Sequence, residues 1–247
     1  MYKALVTSGC SFSLYDPSEE GHPHGWPYFL QQQLLSDGIL PEDFSSFHRG
    51  LGGNGNMLIA RNTMEAISRL LDKGMNGEEI LCVVEWSGTN RHQFFIDNPT
   101  KETFQYDVGI RFEDGEYKDL SESKTNGYYL VNQPSDLNLK FQSHINDVIE
   151  SLWHWTTLQN YCEVNNIKPY YTFMFEHDKE LLLDDDLGDP WAWKYLRDNI
   201  ITDNVLTSIT KYLNEHSFKN LFMADGHPSK RGHKVFSEYL RKSLTSI

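Results

Sequence analysis

The sequence predicts a three-layer α/β/α fold: one parallel sheet of about five strands with helices on both faces. Short apolar runs alternate with longer segments of helical spacing, and parallel neighbours need such crossovers. Glycine and proline fall at the junctions of these segments. At 247 residues, 39 % hydrophobic and 13 % aromatic, the chain suits one sizeable core. A single domain over 1–247, with an insertion at about 93–140, is the expectation.

The first apolar run reads as a buried strand over 2–7 and leads into a polar turn, Ser8-Gly9-Cys10-Ser11-Phe12-Ser13. A helix is expected from Trp26, with Pro27 in its first turn and Gly38 at its end. A strand over 43–50 follows, then the glycine-rich turn "GLGGNGN" at 50–56. Helical spacing through Leu58, Met64, Ile67 and Leu71 predicts a helix ending at Gly74. "EEILCVVEWS", 78–87, is the clearest buried strand. Residues 93–140 are polar and aromatic, with a hairpin expected around Asp114-Gly115, and long excursions of this kind often form lids or binding loops. A long helix over 141–166 carries Ile145, Val148, Leu152 and Leu158 on one side. A strand over 167–175, a polar loop from Glu176 to Trp193, a helix near 197–216, a short strand over 220–224 and a last helix over 229–246 complete the order.

The net charge of −13 disfavours nucleic acid and anionic membrane surfaces, since polyanion binding needs clustered Lys and Arg. No stretch of 18 apolar residues is present, and the N-terminus lacks the features of a signal peptide. Cys10, Cys82 and Cys162 are odd in number and widely spaced, with no CxxC pattern, so free thiols in a reducing compartment are expected. The expected location is cytoplasmic. No cofactor or metal is expected: the first turn lacks GxGxxG, His22 and His24 lack further ligands, and the acidic run after Leu183 lacks EF-hand spacing.

Ligands of an open doubly wound sheet bind beyond the carboxyl ends of its strands. Four polar segments follow predicted strands: "SGCSFS", "GLGGNGN", "WSGTNRH" and "DGHPSKRGH". Together they supply a serine, backbone amides, an asparagine, and a histidine with a nearby carboxylate. Those are the parts of an acyl-transfer site: nucleophile, oxyanion donors, general base and an orienter for the base.

These segments resemble, in order, the four blocks of the SGNH hydrolases, also called GDSL esterases and lipases. Gly9-Cys10-Ser11 stands where that family has Gly-Asp-Ser. "GGNGN" matches its glycine block, Gly88-Thr89-Asn90 its Gly-x-Asn block, and Asp225-Gly226-His227-Pro228 its last block, with Gly232 at the usual distance beyond. "GCSFS" followed by "GWPYFL", and "WSGTNR", also resemble variants found in bacteriophage genomes. The resemblance implies a flavodoxin-like sheet. It also implies Ser11 as nucleophile, His227 as base, Asp225 as orienter, and an oxyanion hole from Ser11, Gly53 and Asn90, with Gly52 the alternative to Gly53.

Two departures from the family pattern stand out. Cys10 replaces the family aspartate and is itself an alternative nucleophile. The last block reads Asp-x-His rather than Asp-x-x-His. A residue before proline tends to be extended, and i and i+2 of an extended segment point to one side, so Asp225 and His227 can still meet. Failing that, a Ser-His dyad remains. Trp191 and Trp193 are candidate substrate-wall residues, whereas at most one of Trp153 and Trp155 should face solvent, and His233 reads as structural. The expected function is hydrolysis of small acyl esters, O-acetyl groups on carbohydrate among them, with acyl transfer at the same site as a variant. The alternative is a non-catalytic binding or structural module of the same fold, associated with a phage particle.

Overall fold

The computed structural model describes residues 2–14, 24–50, 54–89, 91–96, 110–111, 127–131, 144–183, 191–216 and 220–245, with backbone alone at 92–96, 110–111, 127–131, 144 and 191–193. Among these, the strands are β1 (Ala4–Gly9), β2 (Ser45–Gly50), β3 (Ile80–Trp86), β4 (His92–Ile96), β5 (Ile110–Arg111), β6 (Gly127–Val131) and β7 (Pro169–Phe173). The helices are α1 (Trp26–Ser36), α2 (Asn56–Asp72), α3 (His144–Val164), α4 (Glu176–Leu183), α5 (Trp191–Asp198), α6 (Ile209–Glu215) and α7 (Lys230–Thr245). None of the described helices is long and apolar enough to cross a membrane.

The main sheet has the order β2-β1-β3-β7, every pair parallel. The chain leaves β1 toward β2 on one side, then returns to place β3 on the other. The order therefore reverses between β1 and β3, which opens a crevice above their carboxyl ends. Side chains alternate across the sheet, and both faces are covered, so β1 and β3 are buried throughout. Ala4, Val6, Ile80, Cys82, Val84 and Trp86 pack with α2, α3 and α5. Leu5, Leu81 and Val83 pack with α1, α6 and α7 on the opposite face. The fold is a three-layer α/β/α arrangement.

Local chemistry explains the boundaries. Pro27 sits in the first turn of α1, where a missing N–H costs nothing, and Gly38 follows its end at φ +68°. Gly74 follows α2 in the same left-handed conformation, at φ +85°. On α3 the inward stripe is Val148, Leu152, Trp155, Leu158 and Cys162, whereas Ile145, in the first turn, is exposed. Trp153 lies outward at 61 % exposure and Trp155 is fully buried.

Three expectations require correction. Among the described residues the parallel sheet has four strands, and the strand expected at 220–224 does not join it. Residues 222–228 instead fold back on themselves: Met223 N–H donates to His227 O at 2.7 Å and Gly226 N–H to Met223 O at 3.1 Å. Beyond β7 the edge is extended, among the described residues, by Val205, bridged in parallel to Tyr171. The loop expected from Glu176 to Trp193 contains α4 and the start of α5. Glu176 and Asp178 in the first turn of α4 favour a helix N-terminus, and Leu182 is buried. Trp191 and Trp193 therefore belong to a helix, not a loop. The helix expected over 197–216 is broken, since Ser208 accepts from Lys211 N–H at 3.2 Å and starts α6 afresh. Within 93–140 the described strands β4, β6 and β5 form an antiparallel sheet, while the Asp114-Gly115 turn lies outside the described residues.

Candidate active site

The end of β1 turns sharply at Gly9 into a one-turn helix, Ser11–Ser13, with Ser13 N–H donating to Cys10 O at 3.0 Å. A Cβ on Gly9 would press into the Ser13 side chain and stand 2.9 Å from Glu85 Cβ, so only glycine fits there. This turn presents Ser11, half-buried, above the sheet.

His227 arrives from the far end of the chain. Gly226, at φ +84°, lets the backbone reverse, and α7 begins three residues beyond His227. The imidazole packs edge-on against Phe12, ring centroids 5.0 Å apart, and Phe12 in turn meets Phe175 at 5.9 Å. Those contacts bring His227 Nε2 to 2.9 Å from Ser11 Oγ. This is hydrogen-bond distance for a serine and the group that would take its proton.

Asp225 reaches the same ring, but imperfectly. Its Oδ2 lies 3.2 Å from His227 Nδ1, within ion-pair distance. The approach is off the N–H direction, and Nδ1 is left without a well-directed hydrogen bond. The other carboxylate oxygen accepts the His227 backbone N–H at 3.0 Å, which is the first cause of a lowered Asp225 pKa. Asp225 is exposed, so water competes for it.

Gly52, Gly53 and Asn90, the remaining oxyanion candidates, lie outside the described residues. Their flanks are held at the same edge. Asn54 donates to Gly9 O at 3.0 Å, tying the glycine-rich loop to the end of β1. Asn56 Oδ1 accepts from Ser87 N–H at 2.9 Å, while its Nδ2 donates to Ser151 at 3.0 Å. Thr89 N–H donates to the buried Asp178 at 3.2 Å. The side chains of Trp191 and Trp193, and His22, also lie outside what is described; His24 stacks on Tyr28 at 4.2 Å.

Cys10 is not placed to attack a substrate. It is fully buried, its thiol donates to Glu85 Oε1 at 3.2 Å and touches Met174 sulfur, and burial together with the Glu85 charge pushes its pKa up to about 12. His233 is buried on α7; burial lowers its pKa to about 3, so it stays neutral. All three cysteines are free and buried.

Sequence reasoning missed Glu85, Asn54, Asn56 and Asp178. Glu85 had a signal: a lone carboxylate inside an otherwise apolar strand. Asn54 and Asn56 were hidden among turn-forming residues, where asparagine is ordinary. Nothing local marked Asp178.

No family model and no curated protein matches the chain. Among solved structures, it is similar to a proposed acylhydrolase from Bacteroides fragilis NCTC 9343, with 14 % identity, a TM-score of 0.46, and coverage of 99 % of this chain and 87 % of that one. The chemistry therefore rests on the chain's own residues.

Proposed function

We propose that this protein is a serine hydrolase of small acyl esters, with Ser11 as nucleophile and His227 as general base. The observation that carries the reading is the 2.9 Å approach of His227 Nε2 to Ser11 Oγ at the carboxyl edge of the sheet. In the proposed reaction Ser11 Oγ bonds to the ester carbonyl carbon while its proton passes to His227 Nε2. The oxyanion so formed is met by N–H donors from Ser11 and Gly53 and by the Asn90 amide. Collapse breaks the bond to the alcohol, which takes the proton from His227. Water, deprotonated by the same imidazole, then attacks acyl-Ser11 and restores the serine. Asp225 stabilises the imidazolium from 3.2 Å without strict alignment, so the site works between a triad and a dyad.

The ordered resemblance to SGNH hydrolases supports this reaction class. The same resemblance motivates the substrate class, O-acyl groups on carbohydrate, with Trp191 and Trp193 as a proposed wall for the sugar.

The test offers purified protein p-nitrophenyl acetate and a fluorophosphonate probe. Hydrolysis, and labelling at Ser11 that disappears in Ser11→Ala, support the reading. A folded wild-type protein that neither turns over the ester nor takes the label is instead a non-catalytic module of this fold.

A further inference from the structure

Beneath the Ser11 turn lies a buried polar cluster that the proposed chemistry does not use. Glu85, at the end of β3, is fully buried and faces the α1 side of the sheet with Leu81 and Val83. Its carboxyl group is clasped by donors from both flanks of the turn. Cys10 S–H, directly before Ser11, donates to Oε1 at 3.2 Å. Trp26 Nε1–H, at the start of α1, donates to Oε2 at 2.8 Å and is shared with Ser13 Oγ at 3.0 Å. Ser13 also hydrogen-bonds to the carboxyl group, and Arg91, just beyond β3, supplies a positive charge nearby.

The cluster is unusual in its cost. A buried carboxylate is tolerated only where donors surround it, and removing one partner leaves an unsatisfied group. Here the donors are the residues immediately before and two after Ser11. Trp26 Nε1 and an ionised carboxylate have single roles, donor and acceptor, so the arrangement admits one geometry.

We propose that Glu85 is the positioning residue of the nucleophile turn: through Cys10, Ser13 and Trp26 it fixes where Ser11 Oγ stands relative to His227. This role rests on the hydrolase reading for its catalytic consequence, but not for its structural one. Burial raises the Glu85 pKa to about 7, while the hydrogen bonds from Cys10, Trp26 and Ser13 and the Arg91 charge pull it back. The three donors favour the ionised form and burial favours the neutral one, so the two are near balance close to pH 7. Cys10 and Arg91 are the other titratable groups that act on the carboxyl group.

The deciding variant is Glu85→Gln, which keeps the shape but turns one acceptor into a donor facing Trp26 or Cys10. A cooperative melt establishes that it folds. In its crystal structure the Ser11 Oγ to His227 Nε2 separation should exceed hydrogen-bond reach. Fluorophosphonate labelling of Ser11 should slow about ten- to hundred-fold, with kcat for p-nitrophenyl acetate falling far more than KM changes. Retention of the wild-type separation together with wild-type labelling overturns the proposal. Should Glu85→Gln not fold, Trp26→Phe removes one donor and leaves the carboxyl group, and is read in the same way. If wild-type protein is never labelled, the hydrolase reading falls by itself, and the crystallographic separation alone decides for or against Glu85.

Discussion

Ser11 Oγ and His227 Nε2 stand 2.9 Å apart although 216 positions separate them in the chain. Neither residue has a local reason to find the other. Removing either should remove the activity. Ser11→Ala and His227→Ala are each expected to lower kcat for p-nitrophenyl acetate by at least about 10⁴-fold, and the double variant little further, since the two act as one unit. Steady-state kinetics on the three proteins checks this, and a double variant far below both singles contradicts it.

Asp225 should matter much less than a buried triad acid. Its carboxylate is exposed and approaches Nδ1 at 3.2 Å off the N–H direction. Asp225→Ala is expected to cost about ten-fold in kcat, against about 10⁴ for loss of an aligned, buried aspartate. A loss near the larger figure would show that the carboxylate swings into line when substrate is bound.

Gly9→Ala tests the packing under the turn. The new methyl group meets the Ser13 side chain and stands 2.9 Å from Glu85 Cβ. Overpacking of this kind costs about 1–3 kcal/mol, so the midpoint of urea unfolding should fall without a change in slope. Ser11 labelling should slow as well, because the strain falls on the same turn.

His48 links stability to acid. It lies between Thr7 Oγ1 and Gln31 Oε1, each at 2.7 Å, and burial lowers its pKa from 6.5 to about 4. The unfolded chain therefore binds a proton first as pH falls. The contribution is whole above 6.5 and is lost as pH falls through about 4, about 3 kcal/mol in all. Replacing His48 by Gln should flatten the decline of the melting temperature across that window; an unchanged decline refutes the assignment.

Glu85 acts with the opposite sign. Its pKa is raised from 4.5 to about 7, so the folded chain keeps a proton that the unfolded chain has released. That contribution is whole below 4.5 and is lost as pH rises through about 7, again about 3 kcal/mol. Glu85→Gln should remove this descending component. In wild-type protein the Trp26 indole N–H resonance should titrate with a midpoint near 7, and in Glu85→Gln it should not.

The sequence by itself determined the layer architecture. Apolar runs too short for helices, separated by helical spacing, leave few arrangements other than a parallel sheet covered on both faces, and α1 and α2 begin and end close to their proline and glycine signals. It also pointed to Ser11 and His227, each in a polar segment after a strand or a strand-like run, as residues that meet. Tertiary structure decided the rest. The helix at Glu176–Leu183 carries a weak local pattern and owes its form to Leu182 finding the core, while the amphipathic segment Trp191–Asp198 is too short to hold as a helix without Leu196 packing there. Residues 220–224 looked like a strand, but the Gly226 turn takes their hydrogen bonds locally. Glu85 became a buried clasp only when α1 brought Trp26 against it, and Asp225 became an oblique partner only when Gly226 set its angle to His227. Periodicity and turn chemistry act over a few residues, whereas burial and hydrogen-bond alignment depend on what packs from elsewhere in the chain.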